Sequence, residues 1–340
     1  MDQVSMIGLD IAKTVFEVHG RNAAGEMVLQ RSLKRGQVEK TFAKMAPTVI
    51  GLEACGSAHH WARLLSSQGH EVRLMPPAYV KPYAKRNKTD AIDAAACCEA
   101  AGRPDMRFVA IKTVEQQAAL ALHRSRELLV KQRTQLGNAL RAQLAEHGIV
   151  AGKGRIGLTR LVDDLRTGKL ALPDDALLAA TILADQRDAL AAAADALERR
   201  IAAQAKACDR TRLLQTAPGV GPLTAHALLA TLPDPSQFES GRAFAAWLGL
   251  TPRLHGTGGK TRTGAITRQG NQSLRRLLVL GATASLRQVR ARPEKASPWL
   301  RSMIARKPFK LVAVAQAART ARILWAMLTH NQPYRAPATA

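Results

Sequence analysis

The stretch Val4-Ser-Met-Ile-Gly-Leu-Asp10 is a short apolar run that ends on a carboxylate. Two more apolar runs, Val15-Phe-Glu-Val-His19 and Met27-Val-Leu-Gln-Arg-Ser32, follow it after turn-rich gaps. Short apolar runs that are separated by turn residues are typical of strands joined by hairpins. The beginning of the chain therefore predicts three antiparallel strands.

The chain then changes to alternating helices and strands. A polar helical stretch over 37–45 precedes Thr48-Val-Ile-Gly-Leu-Glu53, a fourth apolar run that also ends on a carboxylate. A helix over 59–68 and a strand over 71–75 complete the unit. Strands that are separated by helices pair in parallel through crossovers. The order predicts a mixed α/β sheet, as in a ribonuclease-H-like core.

The rest of the chain is predicted to be helical. The stretch 114–146 has no proline and has leucines at helical spacing, and a second Ala/Leu pattern covers 174–214. Two long helices of similar length predict an antiparallel hairpin or coiled coil. The predicted divisions are an α/β domain over 1–110, a long-helix linker over 111–210, a basic all-α domain over 211–331 and a disordered tail over 332–340.

The net charge of the chain indicates which class of partner it binds. The 340 residues include 50 Lys and Arg against 26 Asp and Glu, a formal net charge of +24. The cations are spread along the chain and form no basic tail, which favours DNA or RNA over a ribosomal-type or membrane-surface role. No run approaches the roughly 18 apolar residues of a membrane span, and no signal sequence begins the chain. We expect a cytoplasmic, nucleoid-associated protein without a membrane partner.

Four carboxylates are predicted to converge. Asp10 and Glu53 each close an apolar strand, which places both at the sheet edge where ligands of α/β proteins gather. Asp90 and Asp93 begin an alanine-rich helix, and their spacing puts both on one helix face. Such a cluster is repulsive unless cations neutralise it, and its oxygens suit Mg²⁺ or Mn²⁺. Two such ions about 3.5–4 Å apart promote phosphodiester chemistry.

A structural role is the alternative for the helical pair. Asp90 and Asp93 also suit an N-cap and a first turn, where the helix dipole favours acids. Asp10 and Glu53 adjoin core positions, where an unpaired charge is costly, so a structural role explains them less easily. The order of all four favours a metal site.

A basic segment precedes this helix. The stretch Pro76-Pro-Ala-Tyr79-Val-Lys81-Pro-Tyr83-Ala-Lys85-Arg86-Asn87-Lys88 interleaves aromatic residues with cations. We expect Lys81, Lys85, Arg86 and Lys88 to bind phosphates while the tyrosines stack or pack. The alternative is a solvated loop with two packing tyrosines.

Two features of the C-terminal domain predict phosphate binding. Pro218-Gly219-Val220-Gly221 lies between two helical stretches. This arrangement is typical of a helix-hairpin-helix motif, in which backbone N–H groups bind a DNA phosphate. The alternative is a plain αα-hairpin turn. The stretch 251–293 has nine cations and no acid, which predicts a phosphate-facing surface. The cations expected to bind nucleic acid are Arg253, Lys260, Arg262, Arg268, Arg275 and Arg276.

The same stretch contains Gly256-Thr257-Gly258-Gly259-Lys260, which we interpret as a flexible loop. Glycines let a phosphate approach the backbone closely, and the hydroxyl of Thr257 is a candidate nucleophile. On spacing alone, a glycine-rich basic loop is more often a phosphate clamp than a covalent catalyst.

Several motifs together resemble one family, the insertion-sequence-110 transposases with their 1111 branch. The resemblance covers nearly the whole chain, and the order of the motifs is more specific than any one of them. The motifs are Gly8-Leu-Asp10, Leu52-Glu53-Ala-Cys-Gly, Lys88-Thr-Asp90-Ala-Ile-Asp93-Ala, Pro218-Gly-Val-Gly221, Leu250-Thr-Pro-Arg253 and Gly264-Ala-Ile-Thr267-Arg-Gln-Gly270-Asn271-Gln-Ser-Leu-Arg275-Arg276.

The resemblance implies a DEDD catalytic domain, a helical linker and a C-terminal transposase domain. It implies that Asp10, Glu53, Asp90 and Asp93 are the metal-binding tetrad. It also implies a covalent hydroxyl nucleophile, usually a serine, where this chain has Thr257; the β-branch of threonine crowds the oxygen and slows its attack. A structured guide RNA and a homo-oligomer, a dimer or a tetramer, are further implications.

Three functional hypotheses remain from the sequence. The first is an element-encoded recombinase that cuts and rejoins DNA with metal ions at the carboxylates and with Thr257 as the covalent hydroxyl. The second is a RuvC-like junction-resolving nuclease that uses metal-activated water and needs no hydroxyl in the loop. The third is a basic DNA-binding protein whose chemistry has decayed.

Overall fold

The computed structural model describes residues 3–84, 89–232, 234–293 and 296–336. The chain divides into two compact units, Met1–Val114 and Glu115–Ala340, which we call the N-terminal and the C-terminal unit. The two long helices thus belong to the same unit as the basic C-terminal helices.

The N-terminal unit contains a five-stranded mixed sheet with the strand order β3-β2-β1-β4-β5. Its elements are β1 (Met6–Ile11), β2 (Val15–Arg21), β3 (Met27–Lys34), α1 (Arg35–Phe42), β4 (Val49–Glu53), α2 (Ala58–Ser67), β5 (Glu71–Met75), α3 (Pro77–Val80), a 3-10 turn (Lys81–Tyr83) and α4 (Asp90–Ala101). The first three strands pair antiparallel, whereas β4 pairs in parallel with β1 and β5. This is the predicted mixed α/β sheet, and it is consistent with a ribonuclease-H-like domain.

One face of the sheet packs against α1 and α2. Ile7 and Leu9 of β1 and Phe42 of α1 are completely buried there, and Trp61 of α2 packs with them as a buried side chain. The Trp61 ring meets the Phe16 ring edge-on, with centroids 4.9 Å apart. Burying a side chain of this size stabilises a fold by about 1.5–3 kcal/mol, so this apolar layer holds the strands in register.

The opposite face of the sheet is covered by α4, and glycines make the approach possible. A Cβ atom at Gly8 of β1 would overlap the carbonyl oxygen of Ala94 and lie 2.7 Å from the Cβ of Cys98. A Cβ atom at Gly51 of β4 would lie 2.5 Å from the Cβ of Ala101. Only glycine fits at these two positions, because the helix backbone lies directly on the strands.

The C-terminal unit is mostly helical. Its elements are α5 (Val114–Ala145), α6 (Gly154–Arg166), α7 (Asp174–Ala207), α8 (Asp209–Leu214), α9 (Pro222–Thr231), a 3-10 turn (Pro235–Gln237), α10 (Gly241–Trp247), β6 (Pro252–Thr257), β7 (Lys260–Ile266), α11 (Gln272–Ala291), α12 (Pro298–Arg306) and α13 (Phe309–His330). Helix α6 lies in the stretch between the two predicted long helices, where the sequence analysis expected none. Its Leu161 and Leu165 are buried against the long helices.

The long helices α5 and α7 contact each other in antiparallel order. Arg126 of α5 donates to Glu198 of α7 at 2.6 Å, and Leu144 further along α5 packs near Ala180 of α7. The second predicted helix is shorter than expected, because the chain is extended at Cys208. The separate helix α8 begins after Cys208, whose carbonyl accepts a hydrogen bond from the hydroxyl of Thr211 at 2.7 Å.

Helix α13 is the centre of the main C-terminal core. Its Ala317, Ala321 and Leu324 are buried among α9, α10 and α11, which contribute Leu228 and Phe244 among others. Within the described residues, α13 alone is long and apolar enough to cross a membrane, yet 44% of its most apolar window is buried inside the unit. Its apolar composition is therefore that of a core helix.

A β-hairpin interrupts the helices, so the prediction of a wholly helical C-terminal domain was wrong at this point. Strands β6 and β7 pair antiparallel, and Thr257 is opposite Lys260. Gly258 and Gly259 form the turn with φ of 54° and 78°, the two left-handed conformations that a two-residue type I′ turn requires. The predicted flexible loop is thus a tight turn. The sequence did not indicate the two strands, because neither face of the hairpin is apolar and the residues show no apolar alternation.

Two histidines meet inside the C-terminal unit. Nε2 of His123 on α5 lies 2.9 Å from Nδ1 of His226 on α9, so one ring donates a hydrogen bond to the other. Burial and the neighbouring His226 lower the pKa of His123 from 6.5 to about 4. Burial also lowers the pKa of His226. Both rings are therefore neutral at neutral pH.

We expect the free energy of unfolding to decrease as the pH falls from about 6.5 towards about 4, the window set by the unfolded and folded pKa of His123. Below pH 6.5 His123 is protonated in the unfolded chain but stays neutral in the folded protein, so a fall in pH favours unfolding. Urea unfolding at several pH values measures this dependence. The His123→Gln variant should lose less stability over the window than wild type, whereas His147→Gln, which removes an exposed histidine, should behave as wild type. Identical pH slopes for His123→Gln and wild type would contradict the assignment.

Candidate metal centre and nucleic-acid surface

The ends of two parallel strands bring Asp10 and Glu53 together. Leu9 of β1 is paired with Leu52 of β4, so Asp10 and Glu53 are the next residues of the two strands. Side chains alternate between the faces of a sheet, and the two leucines face the α1/α2 layer. Both carboxylates therefore lie on the face that carries α4.

The first turn of α4 supplies the two other acids. The hydroxyl of Thr89 accepts a hydrogen bond from the backbone N–H of Ile92 at 3.3 Å, which makes Thr89 the N-cap. The alternative in which Asp90 caps the helix is therefore wrong, since Asp90 and Asp93 are both within the first turn. Their carboxylates are therefore not the N-cap acceptors of α4, although both lie in the first turn, where the helix dipole favours acids.

Three of the four carboxylates are in one cluster. One oxygen each of Asp10, Asp90 and Asp93 lies within 4.8 Å of the other two. Oxygens that bind one Mg²⁺ at 2.0–2.1 Å are at most about 4.2 Å apart, so small side-chain movements would allow all three to bind one ion. Asp10 and Asp93 are half-buried and Asp90 is exposed. Glu53 is outside this group but next to Asp10 at the adjacent strand end.

A buried thiol of α4, Cys97, lies near these acids. Burial raises the pKa of Cys97 to about 12, and the charges of Asp10, Glu53 and Asp93 contribute to the increase. The thiol is therefore protonated at neutral pH and is neither a nucleophile nor a metal ligand there. The three clustered donors are carboxylate oxygens, which fit Mg²⁺ or Mn²⁺ better than softer metals.

The predicted helix-hairpin-helix glycines have different surroundings. Gly219 has a φ of 79°, and a Cβ there would lie 2.6 Å from the carbonyl oxygen of Gly281 on α11. Tight packing on α11 therefore explains Gly219 without a ligand. Gly221 precedes Pro222 at the start of α9 and has open space around it. Pro218 is exposed beside it.

Comparisons with known proteins agree over most of the chain. Residues 7–149 match the family model of DEDD transposases of the IS110 type, and residues 211–298 match the model described as transposase IS116/IS110/IS902 family. The chain belongs to this transposase family. It is similar to a protein of Pseudomonas aeruginosa described as a probable family 20 transposase, with 45% identity over 98% of this chain and 99% of the relative.

Two relatives named after insertion sequences are also similar. The transposase for insertion sequence element IS1111A of Coxiella burnetii is 38% identical over 98% of this chain and 92% of its own length. The transposase for IS1328 of Yersinia enterocolitica is 35% identical over 97% of this chain and 98% of its own length. The resemblance inferred from the motifs is thus confirmed, and DNA transposase activity follows from the family.

Of the cations that were predicted to bind nucleic acid in this transposase, some are exposed and others contact groups within the protein. Arg253, Lys260 and Arg262 are exposed on the hairpin, and Arg268 is exposed just after it, with a left-handed φ of 59°. Lys81 is exposed in the 3-10 turn of the N-terminal unit. Lys85, Arg86 and Lys88 lie outside the described residues.

Arg275 and Arg276 have partners within the protein. Nη1 of Arg275 donates to the carbonyls of Leu248 at 2.8 Å and Gln269 at 2.6 Å, and burial lowers the pKa of Arg275. Arg276 is 3.2 Å from a carboxylate oxygen of Glu127. The sequence could not show these contacts, because both partners of Arg275 are backbone atoms and Glu127 is distant in sequence.

Sequence reasoning missed a cleft at the sheet edge. It has a volume of about 570 Å³ and is lined by Ile11, Ala12, Lys13, Arg35, Cys55, Gly56 and Ser57. The stretch 11–13 directly follows Asp10, and the stretch 55–57 comes just after Glu53. No sequence pattern joins Arg35 to these two stretches, so only the fold reveals the cleft.

We expect Gly8→Ala to displace α4 and to disrupt the carboxylate cluster. The added methyl group overlaps the helix backbone, and overpacking of this kind costs about 1–3 kcal/mol. Urea unfolding and Mg²⁺-dependent DNA cleavage measure the two effects. The control is Gly36→Ala, because Gly36 is on α1 with open space around it and alanine favours a helix by about 0.5–1 kcal/mol. Wild-type stability and cleavage in Gly8→Ala would show that α4 does not depend on this contact.

Proposed function

We propose that this transposase of an insertion sequence cuts and rejoins DNA strands with divalent ions held by Asp10, Glu53, Asp90 and Asp93. The observation that supports it is the group of three carboxylate oxygens within 4.8 Å of one another, beside a fourth acid at the adjacent strand end. Clustered carboxylates repel one another strongly without a cation. Their repulsion is offset when Mg²⁺ or Mn²⁺ binds between them.

The protein's contribution is to position these ligands. Strands β1 and β4 hold two acids at one edge, and the contact of α4 with Gly8 and Gly51 holds the other two above it. When bound, the ions would activate the attacking oxygen and stabilise the leaving one. The half-buried positions of Asp10 and Asp93 limit their contact with water. This strengthens their interaction with a cation.

Thr257 is the proposed covalent hydroxyl. It is exposed at the end of β6, directly before the type I′ turn, where a DNA backbone can approach it. In the proposed step, its Oγ1 loses a proton and forms a bond to phosphorus, while one P–O bond of the DNA breaks and the leaving oxygen takes up a proton. A DNA hydroxyl later attacks the same phosphorus and releases Thr257, so the number of phosphoester bonds is unchanged.

The hairpin and the turn before α9 form the proposed nucleic-acid surface. Arg253, Lys260 and Arg262 project from an exposed two-stranded ribbon, a shape that fits a nucleic-acid groove. The open surroundings of Gly221 suit a phosphate at a helix-hairpin-helix turn. The proposed partners are DNA and a structured guide RNA, with a dimer or tetramer as the assembly. A transposase that acts on DNA is expected in the cytoplasm, at the nucleoid.

A junction-resolving nuclease is the second candidate. The observation that favours it is Thr257 itself, since a β-branched alcohol is a crowded nucleophile. A nuclease needs only the carboxylates and metal-activated water. It would cleave DNA without any protein–DNA adduct.

Asp10→Asn should reduce Mg²⁺-dependent strand cleavage by more than about 100-fold, because it removes charge from the ion site. DNA binding should change little, since the cations remain. Cleavage of labelled DNA that carries the element's ends, with the flanking RNA present, measures the first effect and a filter assay the second. Asp105→Asn is the control, because Asp105 is an exposed acid of the same unit outside the cluster. Substantial cleavage by Asp10→Asn would refute the metal role.

Thr257→Ala should abolish a covalent protein–DNA band in denaturing electrophoresis, and Thr257→Ser should retain it and form it faster, because serine lacks the β-methyl group. Thr263→Ala is the matched control, since Thr263 is another exposed threonine of the same hairpin. Cleavage without a band in wild type would favour the nuclease. A band that persists in Thr257→Ala would assign the nucleophile elsewhere.

A further inference from the structure

The cleft beside the carboxylates lies at the same sheet edge but toward the other face. Ile11 continues the alternation of Ile7 and Leu9, so its side chain is on the α1/α2 side of the sheet. Asp10 is on the α4 side. A chain-like ligand that crosses this edge can therefore reach the carboxylates with one group and the cleft with a neighbouring group.

Two cations line the cleft without a counter-charge. Neither Lys13 nor Arg35 forms an ion pair with a carboxylate anywhere in the described residues, and the guanidinium N–H groups of Arg35 have no hydrogen-bond acceptor there. In contrast, Arg73 and Arg103 of the same unit are paired with glutamates. Two unpaired cations in one concave site favour an anionic ligand.

Aromatic packing holds Arg35 in place. Its guanidinium carbon lies 5.2 Å from the centroid of the Trp61 ring and 5.7 Å from that of Phe16. Its backbone N–H donates to the carbonyl of Thr14 at 2.8 Å. Stacking on aromatic rings orients an arginine and leaves its planar edge able to donate to an oxyanion. The donors are thus arranged before any ligand binds.

Ser57 completes the lining and adds hydroxyl and backbone donors. It precedes α2 with a left-handed φ of 65°, and its side chain does not cap the helix. Its hydroxyl is therefore not used by the helix that it begins. The positive end of α2 adds to the field of Lys13 and Arg35, although the two cations alone determine the sign of the site.

We propose that this cleft binds a phosphodiester group of the cleaved DNA strand, next to the phosphate at the carboxylates. The inference rests on the proposed function, because the carboxylates define where the strand is cut. Lys13 and Arg35 bind the flanking phosphate and so determine which phosphodiester reaches the metal site. They are binding and positioning residues, and take no part in bond making.

The test compares full-length Lys13→Gln and Lys13→Gln/Arg35→Gln with Lys40→Gln and Lys40→Gln/Arg31→Gln, which remove equal charge from exposed positions outside the cleft. Affinity for a fluorescent single-stranded DNA oligonucleotide is measured over a range of salt concentrations. Each lost phosphate contact should reduce the slope of log K against log salt by about 0.7. We expect this reduction, with about tenfold weaker binding at low salt, in the cleft variants only.

A second arm locates the contact. A set of oligonucleotides is used in which each has one uncharged methylphosphonate at a different position. One of them should bind wild type more weakly than the unmodified oligonucleotide does, but should bind Lys13→Gln/Arg35→Gln as well as the unmodified one. Lys13→Gln keeps the test valid if loss of Arg35 stacking impairs folding. Equal slopes in the cleft and control variants, or the lack of such a position, would overturn the proposal, as would an effect seen only with RNA of the same sequence. Binding does not require cleavage, so a wild type that binds but never cleaves would refute only the proposed function.

Discussion

The contact between helix α4 and the glycines of β1 and β4 is the constraint on which the rest of the N-terminal unit depends. Gly8 and Gly51 remove side chains from the one region where the helix backbone lies on the sheet. Two residues along each strand, the same face carries Asp10 and Glu53. The close packing therefore sets the distance between the strand acids and the first turn of α4, on which the proposed cation site depends.

Charge is distributed in two ways around this constraint. Three carboxylates are clustered at one sheet edge, where one oxygen of each lies within 4.8 Å of the others. Positive charge exceeds negative charge over the whole chain by 24. Some cations are engaged inside the protein, as Arg275 is by two carbonyls and Arg253 by the carbonyl of Thr267, whereas the side chains of Lys13, Arg35 and Arg262 have no hydrogen-bond or ion-pair partner among the described residues. The unengaged cations are the ones with capacity to bind phosphate.

The particular elements show which kinds of prediction succeed. The strands that carry Asp10 and Glu53 near their ends were predicted because an apolar run beside an acid is a local signal. Helix α6, the break at Cys208 and the β6–β7 hairpin were missed, since each depends on contacts with residues far away in sequence or on a turn without apolar alternation. Thr89 was missed as the N-cap because a hydroxyl and a carboxylate are both acceptable there.

The sequence by itself predicted the mixed sheet and the family and singled out the four acids as candidate ligands, because apolar periodicity and residue identity are local properties. Only the tertiary structure decided that Asp10, Asp90 and Asp93 form the closest group, that Gly219 serves packing against Gly281, and that Arg35 joins Lys13 in a cleft. These outcomes depend on distances between residues that are 22 to 83 positions apart along the chain, such as Lys13 and Arg35 or Asp10 and Asp93. Such distances are set by the packing of elements against one another, which no local pattern contains.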